Sequence, residues 1–123
     1  MPGIARLTLF AFDTPDPQGL AGFYSAITGW EVAKDGGDWV ELKSDAGPTM
    51  AFQLAPDHKP PVWPSADRPQ QAHVDFDVSD LDEGERQVLA LGARKAEVQP
   101  SENWRVFLDP SGHPFCLVLE SGT

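Results

Sequence analysis

One cysteine, Cys116, stands among 123 residues, so no internal disulfide framework can hold this chain. Positive charge is also scarce: 9 Lys and Arg stand against 19 Asp and Glu, and the formal net charge is −10. Phosphate backbones and anionic lipid headgroups would be repelled, so nucleic acid and membrane surfaces are not expected partners. The same charge keeps a small protein dispersed in water. An excess of negative potential can also draw a cationic ligand, and composition leaves both readings open. No apolar run approaches the roughly 20 residues needed to span a bilayer. The N-terminus has no basic stretch followed by an apolar one, so no signal peptide is expected. With a lone cysteine, these absences point to the cytoplasm. What is present is a globular composition, 41% hydrophobic and 10% aromatic, long enough for one domain with a core.

The chain repeats itself. Asp16-Pro17 opens a helical pattern that stops at Gly29; Trp39 follows, and eight residues later Gly47. Asp80-Leu81 opens a second pattern that stops at Gly92; Trp104 follows, and eight residues later Gly112. An apolar strand precedes each helix, and three short strand-like runs follow it. A repeat of this length outranks local readings. The fold class is therefore α+β, with two tandem βαβββ modules: module one over 3–55, a connector over 56–70 and module two over 71–120.

In module one, Ile4 to Phe12 reads as a strand apolar on both faces, as a central strand would be. Asp16 can cap the helix, Pro17 suits its first turn, and Gly29 ends it. Leu20, Phe23, Tyr24 and Ile27 form one buried stripe. Trp30 to Lys34, Trp39 to Lys43 and Thr49 to Leu54 read as strands, the first two joined by a hairpin turn. The connector holds five of the 12 prolines and reads as stiff and extended. In module two, Val74, Phe76 and Val78 alternate with His73, Asp75 and Asp77 over a strand spanning Gln71 to Ser79. Asp80 and Glu83 are spaced for a reciprocal capping box. Leu81, Val88 and Leu91 give the second stripe. Strands at Arg94 to Val98, Asn103 to Leu108 and Phe115 to Glu120 close the module.

The paired modules, the Phe23-Tyr24 helix followed by Gly29-Trp30, and the run Asp109-Pro110-Ser111-Gly112-His113-Pro114-Phe115 resemble the vicinal oxygen chelate superfamily, the glyoxalase and bleomycin-resistance group. The resemblance covers nearly the whole chain as a single glyoxalase-like domain. It implies that each module curls its four strands into a half-barrel with the helix outside and a concave pocket inside. It also implies a homodimer, in line with the prevalence of symmetric dimers.

That family binds a divalent metal on the concave face, through His, Gln or Glu from the first and last strands of each module. The resemblance puts module two's first-strand ligand seven residues before Asp80, at His73. The same count back from Asp16 falls on Leu9. The last strand of module one offers Gln53. In module two, the fourth residue after Gly112 is Cys116. Leucine binds no metal, and a thiol must lose its proton first. No tightly bound metal or other cofactor is expected. A weakly held divalent ion on Gln53, His73 and Cys116 is the alternative.

Strand alternation sends His73 and Asp75 to the concave face together. They read either as an acid/base or ligand-orienting pair, or as a hydrogen-bonded polar pair. Cys116, amid Phe115, Leu117 and Val118, reads first as a small inert core residue; an activated Cys-His pair would need a positive neighbour. Arg105 reads as a salt-bridge partner of Asp75 or Glu41, or as an anion contact. Trp63 either pins the connector to the surface or roofs a ligand cavity. Trp39 and Trp104, in matching places, suggest a shared packing job. The expected function is small-molecule binding in an aromatic-lined, acidic groove, with Leu9, Gln53, Trp63, His73, Asp75, Arg105 and Cys116 as its contacts. The alternative is a lyase, isomerase or dioxygenase in which His73 is the acid/base or a metal ligand. A third reading, a closed pocket serving only protein interaction, also stands.

Overall fold

The computed structural model describes residues 3–120. They divide into two compact units with the boundary between His58 and Lys59, inside the proline-rich connector. Each unit holds one four-stranded sheet and one helix. The two sheets are not closed into a barrel.

In the first unit, the strand β1 (Leu9–Thr14) leads into the helix α1 (Pro17–Thr28). The strands β2 (Val32–Asp35), β3 (Trp39–Leu42) and β4 (Thr49–Leu54) follow, and the sheet order is β1-β4-β3-β2. Asp16 caps α1 as its position predicts, accepting from the backbone N–H of Gly19 at 3.0 Å. Leu20, Phe23 and Tyr24 are buried. The ring of Tyr24 stacks on Phe12 at 5.5 Å and on Phe52 at 5.8 Å, which joins helix to sheet.

β1 departs from expectation. It starts at Leu9, where parallel pairing with Thr49 of β4 begins, and it ends the sheet instead of lying in its middle. Ile4 and Leu7, read as strand residues, precede the ladder and are exposed. Their apolarity says nothing about pairing, because no partner strand reaches them within the sheet.

The second unit repeats the plan with β5 (Val74–Val78), α2 (Leu81–Ala90), β6 (Arg94–Lys95), β7 (Trp104–Leu108) and β8 (Pro114–Leu119), in the order β5-β8-β7-β6. Asp80 accepts from the N–H of Glu83 at 3.1 Å. The capping box is one-sided, because the Glu83 carboxylate turns to Arg86 and Gln87. Leu91, expected in the buried stripe, is exposed at the helix end. Gly84 is buried in its place: a Cβ there would meet Leu117 at 3.1 Å and Val78 at 3.4 Å, so this glycine brings α2 close against β5 and β8. Phe76, Phe107 and Phe115 form the aromatic core of this unit.

The motif around His113 is a turn. The buried Asp109 carboxylate accepts from the backbone N–H groups of Ser111 and His113, at 2.8 and 3.0 Å, and His113 Nδ1 lies 2.9 Å from it. Gly112 sits at φ 93, and a Cβ on it would lie 2.5 Å from Pro60 Cβ. The glycine thus lets the connector pack onto the turn. Gly112→Ala is expected to lower stability by more than the roughly 1–2 kcal/mol of left-handed strain alone, because Pro60 must also move. Asp16→Ala should cost about 1 kcal/mol, through the lost cap. Urea unfolding of both variants checks the order.

Candidate functional site

Alternation along the strands of the second unit separates two faces. Val78 and Leu117 face α2 across Gly84. Trp104 and Val106 of β7, with Pro114 and Cys116 of β8, face the other way and line a cavity of about 100 Å³. His73, one residue before β5, and Trp63 and Gln70 of the connector complete its wall.

The parallel register of β5 and β8 sets Asp75 directly beside Cys116. His73 Nε2 lies 3.2 Å from Asp75 Oδ1, with both side chains in partial contact with solvent. One ligand-type atom from each of His73, Asp75 and Cys116 lies within 4.8 Å of the others. Cys116 itself is buried. Its thiol is pushed up from the ordinary 9.0 to about 11, first by burial, then by the Asp75 charge, and then by its hydrogen bond to that carboxylate. At neutral pH it is therefore a neutral thiol, the reverse of an activated nucleophile.

The other expected contacts fall elsewhere. Arg105 points between Trp104 and Val106 to the helix side. There it binds Asp82 at 2.8 Å and Glu85 at 3.1 Å, not Asp75 or Glu41. It is absent from the cavity lining, because β7 alternates and its neighbours hold the cavity face. Glu41 instead accepts from Trp39 Nε1 at 2.7 Å. Leu9 and Gln53 belong to the first unit: Leu9 opens β1 opposite Thr49, and Gln53 is exposed on β4 opposite Asp13 and Trp39. Trp63, His73, Asp75 and Cys116 come together in the second.

A glyoxalase-like domain profile matches residues 9–118, most of the chain. The chain belongs to the glyoxalase-like domain family, within the vicinal oxygen chelate superfamily. No curated protein matches its sequence. Solved structures of similar fold include a glyoxalase/bleomycin resistance protein/dioxygenase family enzyme from Burkholderia phytofirmans, 18% identical over 92% of this chain and 97% of that one, with a TM-score of 0.69. A glyoxalase family protein from Enterococcus faecalis is 19% identical over 94% and 98% of the two chains, with a TM-score of 0.66. A glyoxalase-related enzyme from Fulvimarina pelagi is 15% identical over 95% and 89%, with a TM-score of 0.69.

The family's metal positions do not fit a divalent ion in this glyoxalase-like domain. Leu9 carries no donor atom. Gln53 offers only a neutral amide, and the Cys116 thiol holds its proton to about 11.

Sequence reasoning missed Gln70, and it gave Trp104 a packing role without placing it on the cavity wall, where it lies. The signal for Trp104 was available in the spacing: Trp104 and Val106 share a face, and a short hairpin puts Val106 opposite Cys116. Gln70 carried no such signal, because it lies in the aperiodic stretch between β4 and β5.

Two outcomes follow for Cys116. Alkylation by iodoacetamide should be slow at pH 8 and speed up toward about 11. Asp75→Asn removes the negative neighbour, so the thiol pKa should fall and alkylation at pH 8 should quicken. The sign for stability is the reverse of a depressed acid. Between 9.0 and about 11 the folded chain keeps a proton that the unfolded chain has lost. Stability should fall across that window as pH rises, and Cys116→Ala should flatten this part of the slope.

Proposed function

We propose that this glyoxalase-like domain binds a small molecule in the cavity of its second module, without the family's metal quartet. The supporting observation is the cavity lining: two indoles, from Trp63 and Trp104, with Val106 and Pro114 and a few polar groups from Gln70, His73 and Cys116. An apolar wall with a small number of placed polar atoms is the usual make-up of a small-molecule site. His73 and Asp75 would orient the ligand from the rim, and Cys116 would form a neutral part of the floor. A homodimer in the cytoplasm completes the proposal. Among the described residues no helix is long and apolar enough to cross a membrane.

A second reading rests on the grouping of His73, Asp75 and Cys116 within 4.8 Å. Nitrogen, carboxylate and sulfur donors together suit a borderline cation such as zinc more than magnesium or calcium. In that reading the domain is a lyase, isomerase or dioxygenase, with His73 as ligand or acid/base. The thiol proton must leave before the sulfur can bind.

Tryptophan fluorescence separates the two. Ligands found by thermal shift should quench it saturably, with no change on adding a chelator, and Trp63→Ala should weaken binding about tenfold. Chelator-sensitive binding, with cobalt absorption bands lost in His73→Ala, would favour the metal reading.

A further inference from the structure

We infer that the cavity selects small planar cations bearing N–H donors, of the amidinium or guanidinium class. This deepens the binding function proposed above and rests on it. Three observations converge. The side-chain oxygen of Gln70, a lining residue, is buried and has no hydrogen-bond partner among the described residues. A buried acceptor without a donor is costly, and a ligand N–H would supply one. Trp63 and Trp104 belong to the same wall, and indole faces attract cations. No Lys or Arg is among the residues lining the cavity.

Charge points the same way. The Asp75 side chain, 55% exposed, sits beside His73 and Cys116 and gives a second acceptor at the rim. The only strong cation on β7, Arg105, is turned away and held by Asp82 and Glu85. The chain as a whole carries −10. An anion would therefore meet a negative rim and an acceptor with nothing to offer it. A neutral amide could donate to Gln70 and Asp75 but lacks the charge that strengthens the bond to the carboxylate and the attraction to the indole faces. An amidinium has a donor for each acceptor and a flat positive face for the rings. At about 100 Å³ the cavity holds such a head group, and the remainder of the ligand would extend past the exposed His73 and Asp75.

The test uses three probes of one shape, benzamidine, benzamide and benzoate, titrated into the whole protein by calorimetry at pH 7. Benzamidine should bind at least about tenfold more tightly than benzamide, and benzoate most weakly, the scale of one charge-assisted hydrogen bond. Gln70→Leu should weaken benzamidine about tenfold, and Gln70→Glu should restore or improve it. Asp75→Asn should narrow the gap between benzamidine and benzamide. Each variant must melt with the parent to count, and Gln70→Glu keeps the test decisive should Gln70→Leu lose stability. Equal binding of the three probes would overturn the selectivity and leave the binding function standing. So would failure of all three while other compounds still raise the Tm. If no compound in a broad library shifts the Tm, the binding function falls with it.

Discussion

Each module depends on the parallel ladder between its first and last strands. Parallel neighbours cannot be joined by a tight turn, so a crossover must intervene, and the helix supplies it. In the second module this ladder runs from Val74 opposite Phe115 to Val78 opposite Leu119. It brings Asp75 and Cys116, far apart in the chain, into direct contact. It also fixes which face each residue takes. A slip of one residue would turn Cys116 toward α2 and Leu117 into the cavity, exchanging thiol for isobutyl at the site. The buried faces hold this register. Leu117 packs over Gly84, and Phe115 packs between Phe76 and Phe107.

The two modules share a plan but not a chemistry. Counting back five residues from each capping aspartate gives Ala11 in module one and Asp75 in module two. Counting on four from Gly47 and Gly112 gives Ala51 and Cys116. Ala11 pairs with Ala51 as Asp75 pairs with Cys116. One ladder thus holds two methyl groups where the other holds a carboxylate and a thiol. The helices diverge as well. Leu20 buries a large side chain four residues after Asp16, whereas the matching Gly84 lets α2 approach its sheet. A duplicated fold keeps its core while only one copy retains polar groups at these positions.

Asp75 sets the electrostatics of the second module's site. It faces His73 on one side and, on the other, adds to the effect of burial in raising the Cys116 thiol. A negative group beside the cavity lowers the electrostatic cost of positive charge there and disfavours the thiolate. Arg105, which could have reversed this, is spent on the helix face with Asp82 and Glu85. The same ladder that juxtaposes the acid and the thiol thus places a negative group at the edge of the cavity.

The sequence by itself determined the modules, because helix caps, glycine stops and strand alternation are local physics. Asp16 and Asp80 cap where their positions require, and Thr49–Leu54 is a strand as its pattern demands. It also determined that His73 and Asp75 share a face. Tertiary structure decided what local pattern cannot encode. Ile4 to Thr8 precede the β1 ladder because pairing begins where the partner strand starts. Arg105 turned to α2 because its side chain follows the alternation of β7 and finds two carboxylates there. Gln70, in an aperiodic connector, joins the cavity wall through the packing of that connector, which no local pattern encodes. Periodicity assigns a residue its face, but only long-range packing decides what that face meets.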